Sequence, residues 1–216
     1  TASSTVCNDT GPSDTAPRGR RTNSTVVPGR GMILVVTFSG ERILPELRRM
    51  DSEFFIPPIN FAAVDKGVYR SGYPSRRNFS FLRNLKLKTV VYLCPEDYAE
   101  ENADFFASLD THVYHFKLEG NKEPVVDISE EEIRRALKIV LDRRNHPLLI
   151  HCNKGKHRTG CLVGSLRKMQ QWSLTSIFSE YQRFAGAKGR LLDQQFIELM
   201  NPKLVDYDLA HKPDWL

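Results

Sequence analysis

Between residues 147 and 160 the chain reads Pro-Leu-Leu-Ile-His-Cys-Asn-Lys-Gly-Lys-His-Arg-Thr-Gly. A short apolar run of strand length ends at Cys152, a glycine-punctuated cationic loop follows, and a helix-forming segment begins after it. Five residues separate Cys152 from Arg158. A loop curling between them aims backbone N–H groups inward at an anion, and the guanidinium of Arg158 grips two oxygens of that anion side by side. The helix that follows adds the positive end of its dipole. In such a field a thiol whose free pKa is about 8.5 is expected to fall to roughly 3.5 to 7.5, which makes a thiolate the resting form. The stretch therefore predicts a phosphate site with a nucleophile in it, on a strand–loop–helix unit.

The charge distribution supports a small polyanion. The formal net charge is +5, with a pI near 9.0. Residues 152–168 carry Lys154, Lys156, Arg158, Arg167 and Lys168 and no acid, so this segment holds an excess equal to that of the whole chain. No DNA- or RNA-binding motif and no long basic stripe occurs elsewhere, and no nucleic-acid partner is expected. The four cysteines (Cys7, Cys94, Cys152 and Cys161) have no metal-ligand spacing and are too few for a disulfide scaffold in a chain of 216 residues. They point to a reducing compartment, cytoplasmic with the nucleus as an option, and to no metal or other cofactor. No secretory apolar region opens the sequence, and runs such as Met32 to Phe38 fall far short of the roughly 20 residues of a membrane span. No membrane span is expected.

Along the chain, residues 1–31 are rich in Ser, Thr, Pro and Gly, 17 of the 31, and read as a disordered tail. Residues 32–55 form an extension with a strand expected over 32–38. Regularity begins near Asn60. Phe61–Val64 and Gly67–Ser71 read as a hairpin, Ser80–Leu87 as a short helix, Thr89–Cys94 as a buried strand, Ala99–Leu109 as a helix and His112–Leu118 as a strand. A helix beginning at Ser129 carries a capping box with Glu132 and an apolar face of Ile133, Ala136, Leu137, Val140 and Leu141. Pro147–His151 is apolar enough to be a central strand covered on both faces. Helices over Thr159–Gln171 (with Leu162, Leu166 and Met169 on one face), Ser173–Ala185 and Leu191–Met200 follow, with Phe178, Tyr181 and Phe184 expected in the core. Strands alternating with helices predict an α/β fold with a mostly parallel central sheet flanked by helices, and ligand at the carboxyl ends of its strands. The domain boundaries expected are 56–201, with a C-terminal tail over 202–216.

The stretch His151-Cys152-x5-Arg158-Thr159-Gly160 resembles the signature of cysteine-dependent tyrosine and dual-specificity phosphatases. The wording His-Cys-Asn-Lys-Gly-Lys-His-Arg-Thr-Gly, with Gly-Asn-Lys-Glu-Pro at 120–124 and Leu-Leu-Asp-Gln-Gln-Phe-Ile-Glu at 191–198, is similar to the plant and fungal atypical dual-specificity phosphatases that hydrolyse inositol pyrophosphates. This resemblance implies a tyrosine-phosphatase-like fold over about residues 56–201 and a phosphocysteine intermediate on Cys152, with Arg158 stabilising the transition state. It implies that His151 fixes the loop backbone and that the Thr159 hydroxyl partners the sulfur. Asn153, Lys154, Gly155, Lys156 and His157 would cradle phosphate, joined by Asn121 and Lys122 from the neighbouring loop.

One departure bears on substrate. The wider superfamily places an aspartate, the acid that protonates the leaving group, upstream of the nucleophile; here Glu119-Gly120-Asn121 stands in that region, with Glu119, Glu123 and Asp127 as candidate acids. A departing phosphate has a pKa of about 6 and leaves readily without help, whereas tyrosinate sits near 10. The departure favours a diphosphate. Lys188 and Arg190 either extend the cationic patch or face solvent; Asp193 and Gln194 either orient the hydrolytic water or, for Asp193, complete a helix N-terminal turn. Cys94 and Cys161 read as small core residues. The leading expectation is thus an inositol-pyrophosphate phosphatase. The alternatives are a dual-specificity or tyrosine protein phosphatase acting on phosphoproteins and, from another class, a catalytically idle phosphate-binding module.

Overall fold

The computed structural model describes residues 55–121 and 128–216. The tail over 1–31 and the strand expected at 32–38 lie outside the described residues, as do Lys122, Glu123 and Asp127.

Five short strands form one sheet: β1 (Ala62–Asp65), β2 (Val68–Ser71), β3 (Thr89–Tyr92), β4 (His112–His115) and β5 (Leu148–His151), in the order β1-β2-β5-β3-β4. β1 and β2 pair antiparallel as a hairpin, and the other three pairings are parallel. The α/β architecture and the largely parallel sheet read from the sequence are the ones present. β5 occupies the middle, where all four of its residues are buried. Tyr92 and Ser71 flank His151 in register, so the strand that carries the cysteine ends level with both neighbours.

Strand side chains alternate between faces, and the core divides accordingly. Val90 and Leu149 join Leu82 of α1 (Phe79–Asn84) with Phe105 and Phe106 of α2 (Glu100–Ala107) on one face. Val68, Val91, Leu148 and Ile150 face the opposite layer, built by α3 (Glu130–Val140) and α4 (His157–Met169). Two more helices, α5 (Leu174–Ala185) and α6 (Leu191–Leu199), cover the outside of α4. This explains why α4 departs from the one-sided stripe expected of it. Every residue from Thr159 to Arg167 is buried, because the sheet covers one side and α5 and α6 the other. Small residues permit that: a Cβ on Gly160 would stand 2.8 Å from the Tyr181 ring.

At α3 the Ser129 side chain accepts from the Glu132 backbone N–H, and Glu130, Glu131 and Glu132 complement the helix dipole. The reciprocal half of the expected capping box is not formed, since the Glu132 carboxylate pairs with Arg135 instead. On α5 the buried stripe is Ile177, Tyr181 and Ala185, so Phe178 and Phe184 sit at its edges, and Phe184 serves as a platform for an arginine described below. The strand expected over 112–118 ends at His115; beyond it the Phe116 carbonyl accepts from the Leu118 N–H and the Leu118 carbonyl from Arg158.

Two cations of the 152–168 run lie away from the loop. Arg167 is buried in an ion pair with Glu180 and donates to the Val64 carbonyl, while Lys168 donates to the Glu198 and Met200 carbonyls. The chain from 202 to 216 makes two 3-10 turns and buries Val205, and the Trp215 indole N–H donates to the Lys66 carbonyl. No helix among the described residues is long and apolar enough to cross a membrane.

Candidate active site

The loop between β5 and α4 begins at Cys152, at the carboxyl rim of the sheet. Three successive carbonyl groups of this loop are tied outward. The Tyr73 backbone N–H donates to the Asn153 carbonyl at 3.0 Å, the Asn60 side-chain amide to Lys154 at 2.8 Å, and the Arg70 guanidinium to Gly155 at 2.9 Å. In a trans peptide the N–H points opposite to the C=O, so anchoring the carbonyl groups outward turns the amides toward the hollow of the loop. Gly155 makes the turn possible. Its φ is +67°, and a Cβ there would meet the Ser71 backbone at 2.5 Å. No side chain caps the start of α4, which leaves its first N–H groups facing the same hollow.

Arg70 is the unusual member of this cradle. Its side chain is 1% exposed, on a strand position paired with Ile150, and its guanidinium lies 3.7 Å from the centre of the Phe184 ring. Burial lowers its pKa to about 10, against the pull of Glu180 and Cys152, so it remains a cation at neutral pH. A fixed positive charge therefore sits beneath the cysteine loop.

Cys152 is 3% exposed and lines a cavity of about 480 Å³ together with Arg158. Asn153, Lys154, Lys156 and His157 line it from the loop, and Lys188 and Arg190 from the segment before α6. The two cations whose placement the sequence left open thus face the same space as the cysteine. The Arg158 guanidinium is held by the carbonyl groups of Leu93 at 3.2 Å and Leu118 at 3.3 Å, at the ends of neighbouring strands. Lys154 is exposed, and Lys156 reaches the Ala185 carbonyl at 3.2 Å.

His151 is wholly buried, with Nε2 2.9 Å from the Tyr98 hydroxyl. Burial lowers its pKa to about 3, with the Cys152 backbone opposing, and its Nδ1 is buried without a hydrogen-bond partner. The ring is therefore neutral. The Cys94 thiol is pushed up to about 11 by burial, with Arg158 opposing, and burial raises Cys161 as well, so both stay protonated core residues.

Several placements correct the sequence reading. Asn121, expected to touch phosphate, is 2% exposed and turned inward: its amide donates to Asp193 and its oxygen accepts from the Ile128 N–H. The hydrogen bond expected between the Thr159 hydroxyl and sulfur is not made; that hydroxyl is buried without a partner. Glu119 is exposed and is not among the residues lining the cavity. Of the two roles open to Asp193, the helix N-terminal turn is the one present: it lies in the first turn of α6, fully buried and off the wall of the cavity. Asn60, Arg70 and Tyr73 escaped the sequence reading altogether. The only signal available was an arginine in a strand otherwise fit for burial.

A sheet that delivers a cysteine, an arginine and an open helix N-terminus to one cationic cavity defines the class as phosphatase. The chain belongs to the tyrosine phosphatase family, which matches residues 55–216. Inositol diphosphatase DSP4 of Arabidopsis thaliana is 56% identical over 165 residues, covering 76% of this chain and 81% of that protein. Inositol diphosphatase SIW14 of Saccharomyces cerevisiae is 47% identical over 175 residues, covering 81% of this chain and 62% of that protein. The crystal structure of the core catalytic domain of PP-IP phosphatase SIW14 from S. cerevisiae, in complex with citrate, superimposes with a TM-score of 0.65 at 50% identity, covering 68% of this chain and 89% of that one.

Proposed function

We propose that this phosphatase hydrolyses the diphosphate group of inositol pyrophosphates through a phosphocysteine intermediate. The observation that carries the reading is the wall of the cavity: Lys154, Lys156, Arg158, Lys188 and Arg190 line it with Cys152, and no carboxylate does among the described residues. That wall suits a substrate with several phosphates, and the relatives named above are called inositol diphosphatases.

The thiolate of Cys152 attacks the terminal phosphorus in line with the bridging oxygen. The S–P bond forms, the P–O bond breaks, and the electron pair leaves on the inositol-bound phosphate. Loop amides and Arg158 meet the equatorial oxygens, with the Arg70 charge beneath them. Because the leaving phosphate has a pKa of about 6, no strong acid is needed to protonate it. Water then attacks the phosphocysteine and releases orthophosphate, restoring the thiolate. His151 supports the loop through Tyr98, and Asn153, Gly155 and His157 complete the cradle. Three buried free thiols, Cys94, Cys152 and Cys161, suit work in the reducing cytoplasm.

Phosphate release from a diphosphoinositol, compared with release from a phosphotyrosine peptide, tests the reading. Higher kcat/KM on the diphosphoinositol is expected, with Cys152→Ser inactive on both; a clear preference for the peptide would make the chain a protein phosphatase. Absence of turnover on any phosphate ester or anhydride would leave only a binding module.

A further inference from the structure

Asp193, at the first turn of α6, is fully buried, yet it receives three hydrogen bonds from three different parts of the fold. The Tyr181 hydroxyl on α5 donates at 2.6 Å, His157 Nδ1 at the loop end at 2.9 Å, and the Asn121 amide at 2.8 Å. Burial alone pushes the carboxyl up, but these three bonds outweigh it and hold Asp193 below the ordinary carboxylate range. An ionised carboxylate only accepts, so the Nδ1 of His157 carries a hydrogen and its Nε2 is left free.

Two of these arms continue to Arg190. The Tyr181 oxygen accepts from the Arg190 backbone N–H at 3.1 Å, and the Asn121 backbone carbonyl accepts from the Arg190 guanidinium at 2.8 Å. Asn121 is itself fixed at both ends of its amide, by Asp193 and by the Ile128 N–H. Asp193, Tyr181, Arg190 and Asn121 thus close a ring. The ring grips Arg190 at its backbone and at its guanidinium, and a spur from Asp193 reaches His157. Arg190 and His157 both line the Cys152 cavity, whereas Asp193 and Tyr181 are absent from its wall.

We infer that Asp193 and Tyr181 are positioning residues for substrate selection, which hold Arg190 in place for phosphate groups other than the one on Cys152. The inference rests on the proposal that the cavity takes a polyphosphorylated substrate. A free arginine in the exposed stretch before α6 would have to be ordered on each binding event; the ring orders it beforehand. The phosphate held against Cys152 is served by the loop amides and by Arg158, whose guanidinium is held by the Leu93 and Leu118 carbonyl groups and not by the ring, so the ring should separate large polyanions from small ones.

Binding is measured by calorimetry with inositol hexakisphosphate and with inorganic phosphate, on wild type, Tyr181→Phe, Arg190→Ala and the double variant. Tyr181→Phe keeps the buried ring system and removes only the hydroxyl. Relative to its effect on inorganic phosphate, it is expected to weaken inositol hexakisphosphate by about tenfold or more. Added to Arg190→Ala, it should weaken that ligand little further, because both act through one guanidinium. Asp193→Asn, which loses the charge and an acceptor, should show the same selectivity for the large ligand. Equal weakening of both ligands, or full additivity with Arg190→Ala, would overturn the inference and reduce the ring to structural support. A wild type that binds the two ligands equally would instead reject the polyphosphate reading; a wild type that prefers the large ligand while Tyr181→Phe keeps the preference would reject the ring alone.

Discussion

His151 shows how much of the site is decided by burial of single side chains. In the unfolded chain its imidazole takes up a proton below about pH 6.5, while in the folded protein it stays neutral down to about pH 3. Between those values the unfolded state binds the extra proton, so this histidine makes stability rise with pH and fall on acidification. Its share of the loss at pH 5 is about 2 kcal/mol, from 1.36 kcal/mol per pH unit below 6.5. Urea unfolding of wild type and His151→Asn at pH 7 and pH 5 checks it: the variant should lose less stability on acidification by about that amount, and identical pH slopes would contradict the assignment. The residues beneath the loop were not legible in the chain. Arg70 and Asn60 stand 85 and 94 positions from the carbonyl groups they hold, and nothing local to either announces a partner so distant. Asn121 was misread for the opposite reason. It sits in a motif that looks like a phosphate contact, but its amide is spent on Asp193.

At the scale of elements, the strand–loop–helix unit from β5 to α4 was the most readable part of the molecule. Cysteine, glycine and arginine spacing is local information, and the turn it encodes is local geometry. Gly155 shows why: with φ at +67° and Ser71 backbone 2.5 Å from any Cβ, only glycine lets the loop close against β2. Gly155→Ala should therefore open the loop and lower kcat/KM by about a hundredfold, the scale of an ångström's misplacement at a reacting centre. Steady-state kinetics beside a thermal melt separates this from general unfolding, since the α-helical signal should persist while turnover is lost. Unchanged turnover would mean that the loop amides do not face the phosphate. The lengths of α4 and α5 were readable too, but their buried faces were not. An amphipathic stripe reports one packing partner, and α4 has partners on nearly every side.

For the whole molecule, the sheet order β1-β2-β5-β3-β4 brings together at one rim what the chain scatters: the hairpin's arginine, the cysteine loop, the carbonyl groups of Leu93 and Leu118, and the cations before α6. Class and parallel topology followed from the alternation of strands and helices, whereas the convergence of Lys188, Arg190 and the buried Asp193 network depended on α5 and α6 folding back over α4. Turnover in this site depends on Cys152 accepting a phosphoryl group from a diphosphate. Rapid acid quenching during turnover of a diphosphoinositol, followed by mass spectrometry of the peptide containing residue 152, tests this directly. One added phosphoryl group on Cys152, transient in wild type and missing in Cys152→Ser, is the expected result; steady turnover with that sulfur never modified, or turnover surviving in Cys152→Ser, would contradict it.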